Sequence, residues 1–306
     1  MKLSIVIPVF NAAKTIGELI NKLSEDLSDI QFELILVNDG SSDNTEIICE
    51  YAVRKHDFIK FISFRKNFGE HNAVLCGLNH AQGEFAVILD DDFQNPPAEI
   101  LTLLNEIEKG YDVVYSKYLN KRHSFIRNLF SSVNDAVATF LMNKPRNLYL
   151  SSFKIIRKEV VLEIIKYKGP FPYIDGLILR VTDNIASVYV KHNVRLVGES
   201  NYTISKLMDL YLNMFVNFSI KPLRIFTISG LFLFLFGLVM GVLSITEKLI
   251  YNEPPGWTST ILIIILFSGF QVIFMGVLGE YMGKQYLDQN STPQWVVKKE
   301  LVSIKD

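Results

Sequence analysis

The sequence predicts an α/β protein with a mostly parallel sheet covered by helices on both faces, followed by two membrane-crossing helices. Three observations carry this. Up to residue 115, β-branched apolar runs alternate with segments of helical periodicity and the links are short, as expected of strands buried on both faces. The chain is 49% hydrophobic, with a mean hydropathy of +0.23, and the excess concentrates after residue 222. Two stretches there, 225–245 and 258–279, carry no charge, and each reaches the roughly 20 residues needed to cross a bilayer core.

Leu3 to Val9 is a continuous apolar run closed by Pro8 and Asn11, a buried strand. Residues 12–29 place Ile16, Leu19, Ile20, Leu23 and Leu27 at helical spacing. A second strand, Phe32 to Val37, meets Asn38-Asp39-Gly40-Ser41-Ser42-Asp43, where Ser42 or Asp43 suits the N-cap of a helix running to about His56. Phe58 to Phe64 is a third strand, residues 70–81 a helix, Glu84 to Leu89 a fourth strand, Pro96 to Lys109 a helix, and Tyr111 to Tyr115 a fifth strand. Further on, residues 124–142 carry Phe125, Leu129, Val133, Val137 and Phe140 on one helical face. Tyr149 to Ile156 and Ala186 to Lys191 read as strands, and Val160 to Ile165 and Gly176 to Val181 as short helices. Residues 205–220 are amphipathic and directly precede the first apolar stretch, which favours a helix in the membrane interface over one packed on the sheet.

Charge sets the topology. Lys206, Lys221 and Arg224 precede the first span, and Lys284, Lys298 and Lys299 follow the second. The link between them holds a single base, Lys248, beside Glu247 and Glu253. The positive-inside rule then puts both termini and the large domain in the cytoplasm, on the inner membrane. The expected divisions are a domain over 1–204, an interfacial helix over 205–221, a two-helix hairpin over 222–283 and a cytoplasmic tail over 284–306. A net charge of −1 gives no footprint for nucleic acid. Cys49 and Cys76 form no CxxC pair and read as reduced core thiols, and the five histidines form no HxH or HExxH cluster. The first strand begins after one lysine, with no signal-peptide pattern. There is no GxGxxG after that strand and no GxxxxGK[ST]. The glycines of both spans suit close helix packing and a homo-oligomer, though ordinary use of glycine in spans explains them equally.

The chemistry concentrates in Leu89-Asp90-Asp91-Asp92-Phe93-Gln94-Asn95-Pro96-Pro97, where an apolar strand runs directly into three carboxylates. In a parallel sheet, ligands bind beyond the carboxyl ends of strands. If the chain stays extended, Asp90, Asp92 and Gln94 share one side. That all-oxygen set suits Mg²⁺ or Mn²⁺, and Mg²⁺ characteristically adds substrate phosphates to one or two carboxylates.

The segments "SIVIPVFNA", "LVNDGSSDNT", "RKNFGEHNAVLCGL" and "LDDDFQNPP" resemble family 2 glycosyltransferases with a GT-A (Rossmann-like) fold. The later "SSFKIIRKEVV", "RLVGESNYTISKL", "FSIKPLRI", "GWTS" and "GFQVIFMGVLGEYMG" are similar to bacterial polyprenyl-phosphate glycosyltransferases, relatives of dolichol-phosphate mannose synthase. The resemblance spans nearly the whole chain in one order. It implies a nucleotide-sugar donor held by Pro8, Phe10, Asn11, Asp39, Ser41, Asn67, Asp90 and Asp91, although Asp39-Gly40 also fits a plain β-turn. It implies Asp90, Asp92 and Gln94 as the metal site, with Asp90 and Asp92 as the catalytic carboxylates. For a lipid phosphate acceptor it implies Lys117, Arg122, Arg127, Ser131, Arg195, Ser200 and Tyr202. Arginine suits phosphate through its planar fork of donors, while each base taken singly fits a solvated surface charge equally well.

Where many relatives read Gly-Asp-Phe-Arg, this chain reads Ser151-Ser152-Phe153-Lys154, so a carboxylate sometimes assigned as base is absent. A phosphate monoester is largely a dianion at neutral pH, its second pKa being about 6, and needs positioning more than deprotonation. The expected activity is therefore metal-dependent, inverting transfer of a single sugar, from a UDP-sugar in preference to a GDP-sugar, to undecaprenyl phosphate. The alternatives are a processive polysaccharide synthase, for which Gln294-Trp295 does not supply the QxxRW motif, and an inactive membrane scaffold.

Overall fold

Eight strands form one sheet in the computed structural model, which describes residues 2–118, 139, 144–145, 148–193, 221–251 and 256–302. They are β1 (Leu3–Val9), β2 (Phe32–Asn38), β3 (Ile59–Phe64), β4 (Phe85–Ile88), β5 (Val113–Tyr118), β6 (Lys154–Arg157), β7 (Ile185–Val190) and β8 (Val297–Val302). Their order is β7-β5-β6-β4-β1-β2-β3-β8. The pairs β1–β2, β1–β4, β2–β3 and β5–β7 are parallel. β6 runs antiparallel between β4 and β5, and β8 antiparallel on β3. The sheet unit comprises residues 1–207 and 291–306, and a second unit spans Met208–Asn290.

Six described helices belong to the sheet unit: α1 (Ile16–Asp26), α2 (Thr45–Lys55), α3 (Glu70–His80), α4 (Glu99–Ile107), α5 (Lys158–Ile164) and α6 (Ile174–Val181). Strand alternation sorts them between two faces. Leu3, Ile5, Ile7 and Val9 join Ile16, Leu19 and Leu23 of α1, Cys49 and Val53 of α2, and Ile100, Leu103 and Ile107 of α4 in one core. Each such side chain contributes about 1.5–3 kcal/mol on burial. The intervening Val6 faces α3 on the other side, and Gly77 sets that spacing, since a Cβ there would lie 2.3 Å from Val6 Cγ1.

The expected elements form, with instructive shifts. The N-cap position of α2 is Asn44, not Ser42 or Asp43. Asp43 instead accepts from the Thr45 amide at 3.0 Å and the Ala13 amide at 3.1 Å, joining the β1 and β2 loops. The strand expected from Tyr149 starts at Lys154, because Ser151 and Ser152 turn aside to bond Ser116 and Asp90. β8 falls in the stretch that the sequence reading gave as a cytoplasmic tail, with no strand assigned to it. Its Lys298, Lys299 and Glu300 mask the alternation, as charged edge strands do. It is fastened by Lys298 to Glu46 at 3.0 Å and Lys299 to Glu50 at 2.5 Å.

The second unit contains α7 (Lys221–Tyr251) and α8 (Trp257–Gln289). One stretch among the described residues, Leu223–Leu243, is long and apolar enough to cross a membrane by length and composition. The other expected span, 258–279, is helical throughout within α8. Phe226 of α7 meets Phe270 and Phe274 of α8 with centroids 6.1 and 5.8 Å apart. The expected helices at 124–142 and 205–220 lie outside the described residues.

Candidate active site

The sheet opens where β1 and β4 part. Their pairing ends at Val6 and Ile88, and the Leu89 amide makes a last bond to Val6 O at 3.0 Å. β1 and β2 continue to Val9 and Asn38. Alternation puts Pro8 on the same edge as Val6, facing the space β4 has left, so its missing N–H orphans no partner. α1 leaves β1 on one face while α3 leads into β4 on the other, which makes this the topological switch point where α/β sheets bind ligands.

The loop after β1 and the loop after β2 are laced together at this opening. The Asn11 amide donates to Ser41 Oγ at 2.9 Å, and Asn11 Oδ1 accepts from the Ser42 amide at 2.9 Å. Asn11 sits at φ 53, in the left-handed region asparagine tolerates. Ser41 N donates to Asn38 Oδ1 at 3.1 Å. Asp39 accepts from the Phe68 and Gly69 amides at 2.7 and 2.9 Å, which fixes the loop before α3. Burial pushes its carboxyl above the usual range, and those two amides oppose the shift. Gly40 allows that loop to close: at φ +69, its Cβ would lie 2.5 Å from the Lys66 carbonyl carbon. Pro8, Phe10, Asn11, Asp39 and Ser41 thus gather at one lip, with Phe10 exposed and Asn67 exposed in the adjoining loop.

The acidic loop forms the opposite lip, and here the extended-chain expectation is corrected. β4 ends at Ile88, the chain turns at Asp91 and Asp92, and Phe93 takes φ 60. Asp90, Asp92 and Gln94 therefore do not share one extended edge. Asp91 turns to the first lip, where its Oδ2 accepts from the Phe10 amide at 3.2 Å. Asp92 Oδ1 accepts from the Gln94 amide at 3.1 Å. Asp90 Oδ2 accepts from Ser152 Oγ at 2.5 Å. Burial, then the charge of Glu70, pushes the Asp90 carboxyl up to about 7, with Ser152 opposing and Asp92 adding to the rise. Among the described residues, no group of three or more His, Cys, Asp and Glu side chains is arranged to hold a metal ion.

Three residues that the sequence reading did not single out complete the cleft. Glu70 opens α3 and reaches solvent, yet the surrounding protein pushes its carboxyl up, with Lys154 opposing and Asp175, Asp39 and Asp92 reinforcing. Lys154 forms a buried ion pair with Asp175, whose Oδ1 also accepts from Tyr115 Oη at 2.8 Å. The Lys154 ammonium lies 4.9 Å from the Tyr115 ring centroid. The register that sets Lys154 opposite both Ile88 and Tyr115 brings this pair beside Asp90. Only strand pairing reveals it. Burial pushes the neighbouring His71 down to about 4, and its ring meets Tyr173 edge-on at 5.0 Å.

On the alternate side of β5, Tyr118 donates to Asn95 Oδ1 at 2.8 Å, and Ser116 to Ser151 Oγ at 2.7 Å, bracing the acidic loop from behind. Lys117 lies on the opposite side of β5 from Ser116 and Tyr118, with its ammonium 5.4 Å from the Tyr189 ring centroid. Arg122, Arg127, Ser131, Arg195, Ser200 and Tyr202 lie outside the described residues.

Comparison with known proteins agrees with this geometry. Residues 4–164 match Glycosyl transferase family 2, and residues 221–284 match the GtrB C-terminal hairpin. The chain is similar to the undecaprenyl-phosphate 4-deoxy-4-formamido-L-arabinose transferase of Proteus mirabilis (strain HI4320), 30% identical over 99% of this chain and 95% of that one. The protein of the same name from Shewanella sediminis (strain HAW-EB3) is 31% identical over 98% and 92%. In fold, the chain is similar to glucosyl-3-phosphoglycerate synthase from Mycobacterium tuberculosis, solved with Mn²⁺, UDP-glucose and phosphoglyceric acid. That likeness has a TM-score of 0.53 at 20% identity, over 69% of this chain and 76% of that one. The GT-A sheet, its switch-point cleft and a match running from β1 through α5 converge: the chain is a glycosyltransferase and belongs to glycosyl transferase family 2.

Proposed function

We propose that the protein transfers a single sugar from a nucleotide-sugar to polyprenyl phosphate at the cytoplasmic face of a membrane, with inversion. The observation that carries this is the cleft between the carboxyl ends of β1 and β4, with Phe10 and Asn11 on one lip and Asp90 and Asp92 on the other. The first lip holds the nucleoside, with Asp39, Ser41 and Asn67 behind it. The second faces the diphosphate. Asp90 and Asp92, with the Gln94 amide oxygen, fit a hard divalent cation that takes its remaining ligands from phosphate, and the negative charges of Glu70 and Asp92 acting on Asp90 favour one. Bound there, Mg²⁺ or Mn²⁺ would neutralise charge on the departing diphosphate. Ser152 holds Asp90 in place, and no general base is assigned. The acceptor dianion attacks the anomeric carbon from the face opposite the leaving diphosphate.

The named relatives, alike over nearly their whole length, support undecaprenyl phosphate as the acceptor. A UDP-sugar is the donor we favour. Lys117, Arg122, Arg127, Ser131, Arg195, Ser200 and Tyr202 remain our candidates for the acceptor phosphate. The membrane topology also has support. If α7 crosses, the chain must return, because β8 hydrogen-bonds to β3 of the sheet unit. That favours a hairpin of α7 and α8, a domain over 1–204 and both ends in the cytoplasm.

A radiolabelled assay tests the proposal. The full chain in detergent is mixed with undecaprenyl phosphate, Mn²⁺ or Mg²⁺, and a panel of UDP- and GDP-sugars. Label entering the organic phase from one donor, and abolished by EDTA, is the expected result. A water-soluble polymer, or no transfer from a protein that binds no nucleotide, would overturn it.

A further inference from the structure

We infer that Gln294 and Trp295, just beyond α8, are positioning residues for the donor end of the cleft, an assignment that rests on reading that cleft as the nucleotide-sugar site. Gln294 Nε2 donates to Tyr167 O at 3.1 Å and to Gly169 O at 2.8 Å. These two carbonyls belong to the turn joining α5 to α6, and Gly169 and Pro170 there are buried. The turn delivers Tyr173, whose ring packs on His71, and Asp175, the partner of Lys154. Pro170 O lies 3.5 Å from Asn72 Nδ2, which donates at 2.8 Å to Phe68 O. Phe68 in turn gives its amide to Asp39. One glutamine thus braces a turn that leads to both lips of the cleft.

Trp295 acts on the same loop from the other side. Its ring stacks on Phe64 at 6.2 Å and 11°, and Phe64 meets Phe68 edge-on at 5.7 Å. Arg65 N donates to Val296 O at 3.0 Å, which sets the depth at which the segment enters β8. The loop whose amides hold Asp39 is therefore clamped through Phe68 by Trp295 and through Asn72 by the turn that Gln294 grips. The contacts of both residues are to the α5–α6 turn and to Phe64. Both act through the loop before α3, and a small displacement of binding groups costs affinity steeply.

The test uses the full chain in detergent with Trp257→Phe, so that Trp295 is the remaining tryptophan of the two in the sequence. UDP and GDP are titrated with Mn²⁺, following Trp295 fluorescence and, separately, calorimetric heat. Gln294→Glu keeps the shape and removes the amide donor. It should weaken the nucleotide that binds by about tenfold without lowering Tm relative to its parent. Gln294→Lys, which retains donors for both carbonyls, should bind within about threefold of the parent. In the transfer assay, Gln294→Glu should raise the donor KM and leave the acceptor KM unchanged. Unchanged affinity in Gln294→Glu overturns the inference. So does an equal loss in both variants with a lowered Tm, the mark of a merely structural residue. A parent protein that binds neither nucleotide removes the reading of the cleft itself, and this assignment with it.

Discussion

At the amino end of the sheet, Glu33 is 2% exposed and its charge is met by the chain itself. Its Oε1 accepts from Ser4 Oγ at 2.6 Å and from the Gln82 amide at 2.7 Å, and Lys60 Nζ lies 2.8 Å from Oε2. At the carboxyl end, the charge of Glu70 raises Asp90, Asp92 adds to the rise of both, and the cation acting on both, Lys154, is already paired with Asp175. One end buries a carboxylate and pairs its charge with a lysine. The other gathers carboxylates that the fold leaves in mutual repulsion, at a cost to stability. A carboxylate paired at close range with a lysine belongs to folding, and like charges gathered at the carboxyl end of a parallel sheet mark where a ligand can complete the charge balance. Our proposal assigns that excess to a divalent cation and a diphosphate.

The largest effect should separate the two ends outright. Asp92→Asn should lower transfer by about 10³-fold, some 4 kcal/mol of transition-state stabilisation, with Tm unchanged. Glu33→Ala should do the reverse. It strands Lys60 and costs about 3–5 kcal/mol of stability, read as a lowered Tm in detergent, while the donor KM of the surviving enzyme stays put. A Glu33 variant with intact Tm and lost donor affinity would break the comparison.

A finer cut concerns Ser152. Its hydroxyl is the group seen to hold Asp90, so Ser152→Ala should weaken activation by Mn²⁺ about tenfold, the usual cost of losing an outer partner of a metal ligand, with little change in Tm. Saturating Mn²⁺ should recover most of the rate. A rate loss that no Mn²⁺ concentration recovers would show that Ser152 acts on something other than the placement of Asp90.

The contrast also explains what the sequence could disclose. The parallel core was legible because each strand from β1 to β4 is almost wholly buried and reads as a mostly apolar run. The acidic lip was legible because Asp90 to Asp92 abut such a run. Their geometry was not, since the reading assumed an extended chain where Phe93 takes a positive φ and the loop turns. Glu70, Lys154 and Asp175 were missed because they come from separate elements and meet only through the register of β6 on β4 and β5. β8 was missed because three charges interrupt its alternation, and because its partner β3 lies more than two hundred residues earlier. Local pattern discloses buried faces, whereas pairing between distant strands assembles the site.

The smallest effect concerns the two buried thiols, Cys49 and Cys76. Burial, more than any neighbouring charge, pushes Cys49 and Cys76 up to about 12 from an ordinary 9.0. The folded protein therefore holds these protons more tightly than the unfolded chain does. The resulting stabilisation is complete below pH 9 and is lost progressively as pH rises from 9 towards 12, because the unfolded thiols ionise first. At pH 10 each thiol should already have given up about 1 kcal/mol. Replacing both by alanine opens small cavities at every pH but removes this dependence. The gap in Tm between parent and the Cys49→Ala/Cys76→Ala variant should therefore narrow between pH 8 and pH 10. A gap that stays constant would mean that the thiols titrate alike in both states, and that the core around them is wetter than its packing indicates.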